Sequence, residues 1–208
     1  MGIKAVVFDY GQVISLPQDP AAVDRMAEIA GVERGRFESV LWALRDEYDR
    51  GTIDARGYYG KIFAELSVDI DMDRIDKIIE TDFNSWKNIN METAALMDEL
   101  KKAGYTVGIL SNMPHDFLAW ARKNLPVFSL PQVSLFSCEV NLVKPEEAIY
   151  QKLLSMLGVK GVASAGEVVF FDDKIENVKS AGALGIKALL WKDAEDARRE
   201  LLSLGVAL

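Results

Sequence analysis

KAVVFDYGQVI, residues 4–14, decides how this chain is read. Residues 4–8 are a short apolar run with β-branched and aromatic members and no strict polar alternation, as expected of a strand covered on both faces by helices. Asp9 ends that run, so its carboxylate is placed where a strand of an open sheet meets its crevice. Working outward, residues 105–110, 132–136, 167–171 and 186–190 resemble the first run and predict four further strands. Helical patterns lie between them: 91–103 stops before Gly104, 145–157 starts at Pro145, and 175–184 stops before Gly185. This alternation predicts an α/β fold with a doubly wound parallel sheet.

The interval 17–86 breaks the alternation, because no strand interrupts its helical segments. Asp19-Pro20 opens a helix ending near Gly31, a second spans 33–50, a third follows Asp54 and another covers 73–83. The acidic cluster Asp69, Asp71 and Asp73 fits a solvated helix start better than a metal site. Residues 1–16 and 87–208 are therefore expected to form the core, with 17–86 a helical cap inserted after the first strand, over the carboxyl ends where open α/β sheets bind ligands.

The chain has 208 residues, half of them apolar, enough for one sizeable core and a modest second module. A formal charge of −8 offers no electrostatic footprint for nucleic acid or an anionic membrane surface. Cys138 is the only cysteine, so no internal disulfide can form, and neither a signal-peptide pattern nor a span of about 20 apolar residues is present. A cytoplasmic setting is the expectation, with oligomeric state left open.

Four clusters fall where strands should end: Asp9 in VVFDYGQVI, Ser111-Asn112 in VGILSN, Lys144-Pro145 in NLVKPEEAIY, and Asp172-Asp173 in VVFFDDKIEN. Two adjacent carboxylates after a buried strand face costly desolvation without a cation, and a hard divalent ion answers that with oxygen ligands. Ser111 and Asn112, ahead of Pro114, have polar groups suited to a phosphate oxygen at a helix start. Pro145 biases Lys144 toward an extended backbone with a flexible ammonium beside a helix. In order, spacing and strand context the four clusters resemble the haloacid dehalogenase superfamily, across nearly the whole chain outside the cap.

That resemblance implies a hydrolase, and more closely a magnesium-dependent phosphatase acting on a small phosphorylated metabolite through an aspartyl-phosphate at Asp9. It makes Asp9 the nucleophile and Lys144 the cation that neutralises nucleophile and phosphate. Ser111 and Asn112 become phosphate contacts. Asp9, Asp173 and the Gly11 carbonyl become Mg2+ ligands, with Asp172 a ligand or just behind one and Asn177 in support. Many phosphatases of the superfamily carry an acid/base Asp two residues after the nucleophile, but Gly11 stands there instead. Gly11 is typical of a branch with an FDxGxV first motif, similar to sugar-phosphate phosphatases. Its lack of a carboxyl favours substrates with stable leaving groups, such as anomeric sugar or acyl phosphates, and implies that Gly11→Asp would accelerate poor substrates most. Two other readings share these residues: a dehalogenase attacking carbon with the same Asp9, and a phosphate-ligand sensor that has lost turnover.

Other singled-out residues carry less. His115, the only histidine, fits a surface position in the first turn of a helix better than a substitute acid, and Cys138 fits a small packed residue. Of the cap aromatics Trp42, Tyr48, Tyr58 and Tyr59, helical spacing assigns most to packing. Trp42 and Arg45 are the pair expected to face substrate, and Trp86 marks the return from cap to core.

Overall fold

Residues 2–208 are described by a computed structural model. The five expected strands are present as β1 (Ala5–Phe8), β2 (Thr106–Ser111), β3 (Val133–Phe136), β4 (Val168–Asp172) and β5 (Lys187–Leu190). They form one sheet in the order β3-β2-β1-β4-β5, with every pairing parallel. The chain thus winds to one side from β1 through β2 to β3 and then returns to β4 on the other. The switch between β1 and β4 opens the crevice in which such sheets hold ligands. Asp9 follows β1 and Asp172 ends β4, so both carboxylates stand at that crevice.

The absence of polar alternation in β1 has its predicted cause. All four residues are fully buried: Val6 and Phe8 belong to one core with Phe171 and Trp191, while Ala5 and Val7 face Ile149, Tyr150 and Leu153. A period of two sends neighbours to opposite faces, and helices cover both. Burying a Val or Phe side chain stabilises by roughly 1.5–3 kcal/mol, so the same residues that specify the strand anchor the sheet.

Between β1 and β2 the chain makes α1 (Pro20–Ala30), α2 (Arg34–Ala43), α3 (Arg45–Asp49), α4 (Ala55–Leu66) and α5 (Met72–Ser85). The Asp19 carboxylate accepts from the Ala21 amide at 3.0 Å to start α1, and Gly31 ends it in the left-handed region at φ 72°. Asp71 caps α5 by accepting from the Arg74 amide at 2.9 Å, which is the helix start expected of the acidic cluster. The single helix expected over 33–50 is instead two, broken at Leu44 (φ −99°, ψ 10°). No proline or glycine marks the break. It falls where Arg45 is turned over the rings of Trp42, Tyr48 and Tyr58 to meet Asp49, a tertiary arrangement that periodicity does not encode.

The remaining helices are α6 (Met91–Lys102), α7 (His115–Asn124), α8 (Ser137–Val140), α9 (Glu147–Gly158), α10 (Ile175–Ala183) and α11 (Ala194–Ser203). Pro145 does not open α9 as expected. The Glu146 amide donates to the Val143 carbonyl at 2.9 Å, closing a turn around the cis Lys144-Pro145 peptide, and the helix begins only after it. The chain enters and leaves α1–α5 side by side: Ser15 and Ile89 form an antiparallel bridge, flanked by Leu16 N–H to Asn88 O at 2.8 Å and Asn90 N–H to Ile14 O at 2.9 Å. Among the described residues no helix is long and apolar enough to cross a membrane.

Candidate active site

The site is built around Lys144, which is almost fully buried. Its ammonium lies 2.8 Å from Asp9 Oδ1 and 2.6 Å from Asp172 Oδ2. Burial alone would lower the lysine pKa; the two carboxylates more than offset that and hold it above its ordinary value. The reach of Lys144 is set by its backbone. Its N–H donates to Asn112 Oδ1 at 2.8 Å and its carbonyl accepts from Asn112 Nδ2 at 2.9 Å, so one amide side chain clamps both main-chain groups. Asn112, expected to touch phosphate, thus spends both ends of its amide on Lys144. Asn112→Ala is expected to lower stability by about 1–3 kcal/mol by leaving two partly buried groups unpaired. A urea midpoint equal to that of wild type would contradict the clamp.

Asp9 is buried, and its Oδ1 also accepts from the Tyr10 amide at 2.7 Å. Burial raises its pKa, Lys144 pulls it back and Asp172 pushes it up again, leaving it at about 6. Asp173 is raised in the same way, by burial and then by Asp172. Asp9, Asp172 and Asp173 offer carboxylate oxygens that all lie within 4.8 Å of one another. Three carboxylates against one buried ammonium leave an excess of negative charge, and the donor set is all oxygen, which fits a hard divalent cation.

The two neighbouring acids are not equivalent. Asp172 is fully buried, and besides Lys144 it accepts at Oδ1 from the Lys174 amide (2.9 Å) and from Asn177 Nδ2 (2.8 Å). Asp173 points into the open cleft, where Gln12 Nε2 donates to its Oδ2 at 2.7 Å. Asp172 therefore orients the lysine, Asn177 orients Asp172, and Asp173 is the acid that faces the cleft.

These residues line a cavity of about 120 Å3. Asp9, Gly11, Ser111, Asn112, Lys144 and Asp173 make its floor, and Trp42, Arg45, Asp49 and Trp86 close it from above. The Trp42 and Trp86 rings meet edge to face at 6.5 Å between centroids. Both Trp42 and Arg45 thus face the cleft as expected, whereas Tyr48, Tyr58 and Tyr59 are fully buried in the core.

A family model for haloacid dehalogenase-like hydrolases matches residues 3–185. The chain belongs to this family. It is 29% identical to pig (Sus scrofa) bifunctional epoxide hydrolase 2 over 97% of its own length, yet spans only 38% of that longer protein. It is 30% identical to a sesquiterpene phosphatase of Aspergillus oryzae, covering 97% of this chain and 96% of the relative. Among solved structures, a haloacid dehalogenase family enzyme of Bacteroides thetaiotaomicron superposes with a TM-score of 0.78 at 22% identity, over 97% of this chain and 99% of the other. A structure of that enzyme with magnesium and inorganic phosphate superposes at 0.74 with 22% identity, over 92% and 95% of the two chains.

Within this haloacid dehalogenase-like hydrolase, several residues at the site carried no sequence signal strong enough to single them out. Gln12 sits at φ 60°, a conformation uncommon outside glycine, and its amide reaches Asp173. Asp49 and Asp82 approach Arg45 at 2.9 and 4.0 Å from two different helices. At Gly11 a Cβ would meet only Trp86 Cζ3 at 3.8 Å, so the position has room for a side chain. His115 is exposed and does not line the cavity. Cys138 is buried, which pushes its thiol up to about 12 and keeps it inert.

Proposed function

We propose that this hydrolase is a magnesium-dependent phosphatase that removes phosphate from a small phosphorylated metabolite through an aspartyl-phosphate on Asp9. The observation that carries the reading is the shared ammonium of Lys144, 2.8 Å from Asp9 and 2.6 Å from Asp172, with Asp173 beside them. A site with more carboxylates than cations suits a dication and the oxygens of a transferring phosphoryl group; halide displacement has no use for that surplus. The phosphate-bound structure of the Bacteroides enzyme and the named activity of the Aspergillus relative support the same reading.

Asp9, Asp173 and the Gly11 carbonyl would hold Mg2+. When bound, the ion offsets negative charge on the phosphoryl oxygens and the nucleophile. Lys144 shields Asp9 from the incoming dianion and keeps its attacking oxygen in place. Ser111, buried at the end of β2, takes a phosphate oxygen. Trp42 and Trp86 cover the reacting atoms and exclude bulk water. The compact cavity favours small substrates such as sugar phosphates.

The test is phosphate release from a panel of phosphorylated metabolites and an activated aryl phosphate, with and without magnesium, for wild type and Asp9→Asn. Magnesium-dependent release lost in the variant supports the reading, and no release from folded, metal-loaded protein across the panel would sink it.

Proton linkage gives a second handle. With Asp9 at about 6, metal binding below that pH must displace a proton. Magnesium affinity is expected to fall about tenfold per pH unit below pH 6 and to be flat above it. The folded pKa exceeds the unfolded value of about 4, so the metal-free protein binds more protons folded than unfolded in that window, and the Asp9 contribution to stability declines as pH rises from about 4 past 6. Calorimetric titration at several pH values checks the first expectation, and a pH-independent affinity would contradict it.

A further inference from the structure

Gly11 leaves the leaving group without a proton donor on the first motif, and the cap places a carboxyl in the same cavity. Asp49, the last residue of α3, lines that cavity, and its side chain is only 14% exposed. Oδ1 accepts from Arg45 Nε at 2.9 Å, and Oδ2 takes no hydrogen bond from any described residue.

Its position is pinned to the core from both sides. The Asp49 carbonyl accepts from Ser137 Oγ, which itself accepts from the Met113 amide at 2.8 Å, two residues past Ser111. The next residue, Arg50, pairs with Glu146, two residues past Lys144. The cap carboxyl is therefore registered against the second and third motifs and not carried on a free loop.

Other groups around the cavity are committed elsewhere. Asp9 and Asp173 belong to the nucleophile and metal set, and Lys144 is held between two carboxylates. The Tyr10 hydroxyl donates to the Trp86 carbonyl at 2.7 Å. Arg45 is paired with Asp49 and approached by Asp82, and Lys174 is exposed to water.

We propose that Asp49 is the general acid and base of this active site, supplied by the cap in place of the carboxyl that Gly11 lacks. The assignment rests on the phosphatase reading above. Protonated Asp49 gives its proton to the bridging ester oxygen as the P–O bond breaks and Asp9 bonds to phosphorus, so the leaving group departs as an alcohol. The resulting carboxylate takes a proton from the water that attacks the aspartyl-phosphate. This releases inorganic phosphate and restores both the Asp9 carboxylate and the Asp49 acid.

The electrostatics are compatible with that role. Burial pushes the Asp49 carboxyl above its ordinary range, against the pull of Arg45 and Lys174, while Asp46 on the same helix adds to the rise. Asp82, from α5, approaches the same guanidinium at 4.0 Å.

The experiment measures kcat/KM, which reports events through leaving-group departure, for a series running from nitrophenyl phosphate to alkyl phosphates. Wild type is compared with Asp49→Asn, Asp49→Glu, Gly11→Asp and the Asp49→Asn/Gly11→Asp double variant. Asp49→Asn is expected to lose about 10²–10⁴-fold on alkyl phosphates while largely sparing nitrophenyl phosphate, whose turnover also certifies the fold. Asp49→Glu, which keeps a transferable proton, should retain the leaving-group profile of wild type. Gly11→Asp should raise alkyl phosphate turnover more in the Asp49→Asn background than in wild type, which already has a proton donor, so the gain predicted from Gly11 is largest in that background. An equal loss across the series overturns the assignment, because Asp49 would then only anchor Arg45 and the cap. If Asp49→Asn does not fold, a changed leaving-group profile in Asp49→Glu, or a large gain from Gly11→Asp alone, overturns it. No phosphate release by wild type from any ester removes the phosphatase reading itself and this assignment with it.

Discussion

Asp9→Asn is expected to reduce phosphate release by about 10⁴-fold or more while the protein stays folded. The amide keeps the size of the carboxylate and can still accept from the Tyr10 amide, but it cannot attack phosphorus. Lys144 does not lose its partner, since Asp172 lies 2.6 Å away. Burial disfavours the charged form of Asp9, so a neutral side chain there is not expected to weaken the metal-free fold. Phosphate release and a urea transition on the same preparation decide the matter. Turnover within tenfold of wild type would mean that another group attacks.

Lys144→Ala should do the opposite to the fold. Removing one partner of a buried ionic cluster leaves uncompensated charge, at a cost of about 3–5 kcal/mol, here because Asp9 and Asp172 lose the cation between them. The loss should deepen as pH rises through about 6 and Asp9 ionises, and magnesium should recover part of it by replacing the missing positive charge. Transfer should also slow by about 10²–10³-fold, the scale seen when one preorganised charge-stabilising group is removed. A Lys144→Ala protein as stable as wild type at pH 8 without metal would contradict this account of the cluster.

Most of the core was legible because its physics is local. Five apolar runs marked the strands, three of them leading into Asp9, Ser111-Asn112 and Asp172-Asp173, and a strand covered on both faces leaves no polar alternation to mislead. The Asp172-Asp173 pair was legible as a dianionic feature, but which acid faces the cleft was not. Side chains at a strand end alternate between faces, and only the fold shows that Asp172 turns to Lys144 while Asp173 turns to Gln12. Asn112 reads locally as a cap or a phosphate contact; its clamp on Lys144 spans 32 residues. The break at Leu44 and the meeting of Arg45 with Asp49 and Asp82 depend on packing among α2, α3, α4 and α5, which periodicity does not report.

The bridge between Ser15 and Ile89 has an architectural consequence. Since the outgoing and incoming strands of chain share one doorway, everything between them is a closed excursion whose ends already touch. An excursion of that kind can change in length without moving the paired ends, while its interior stays tied to the core through Asp49 to Ser137, Arg50 to Glu146 and Ala55 to Asp116. The chemistry on the floor and the shape of the roof are thus joined at that doorway and at those three ties, which any exchange of the roof would have to keep.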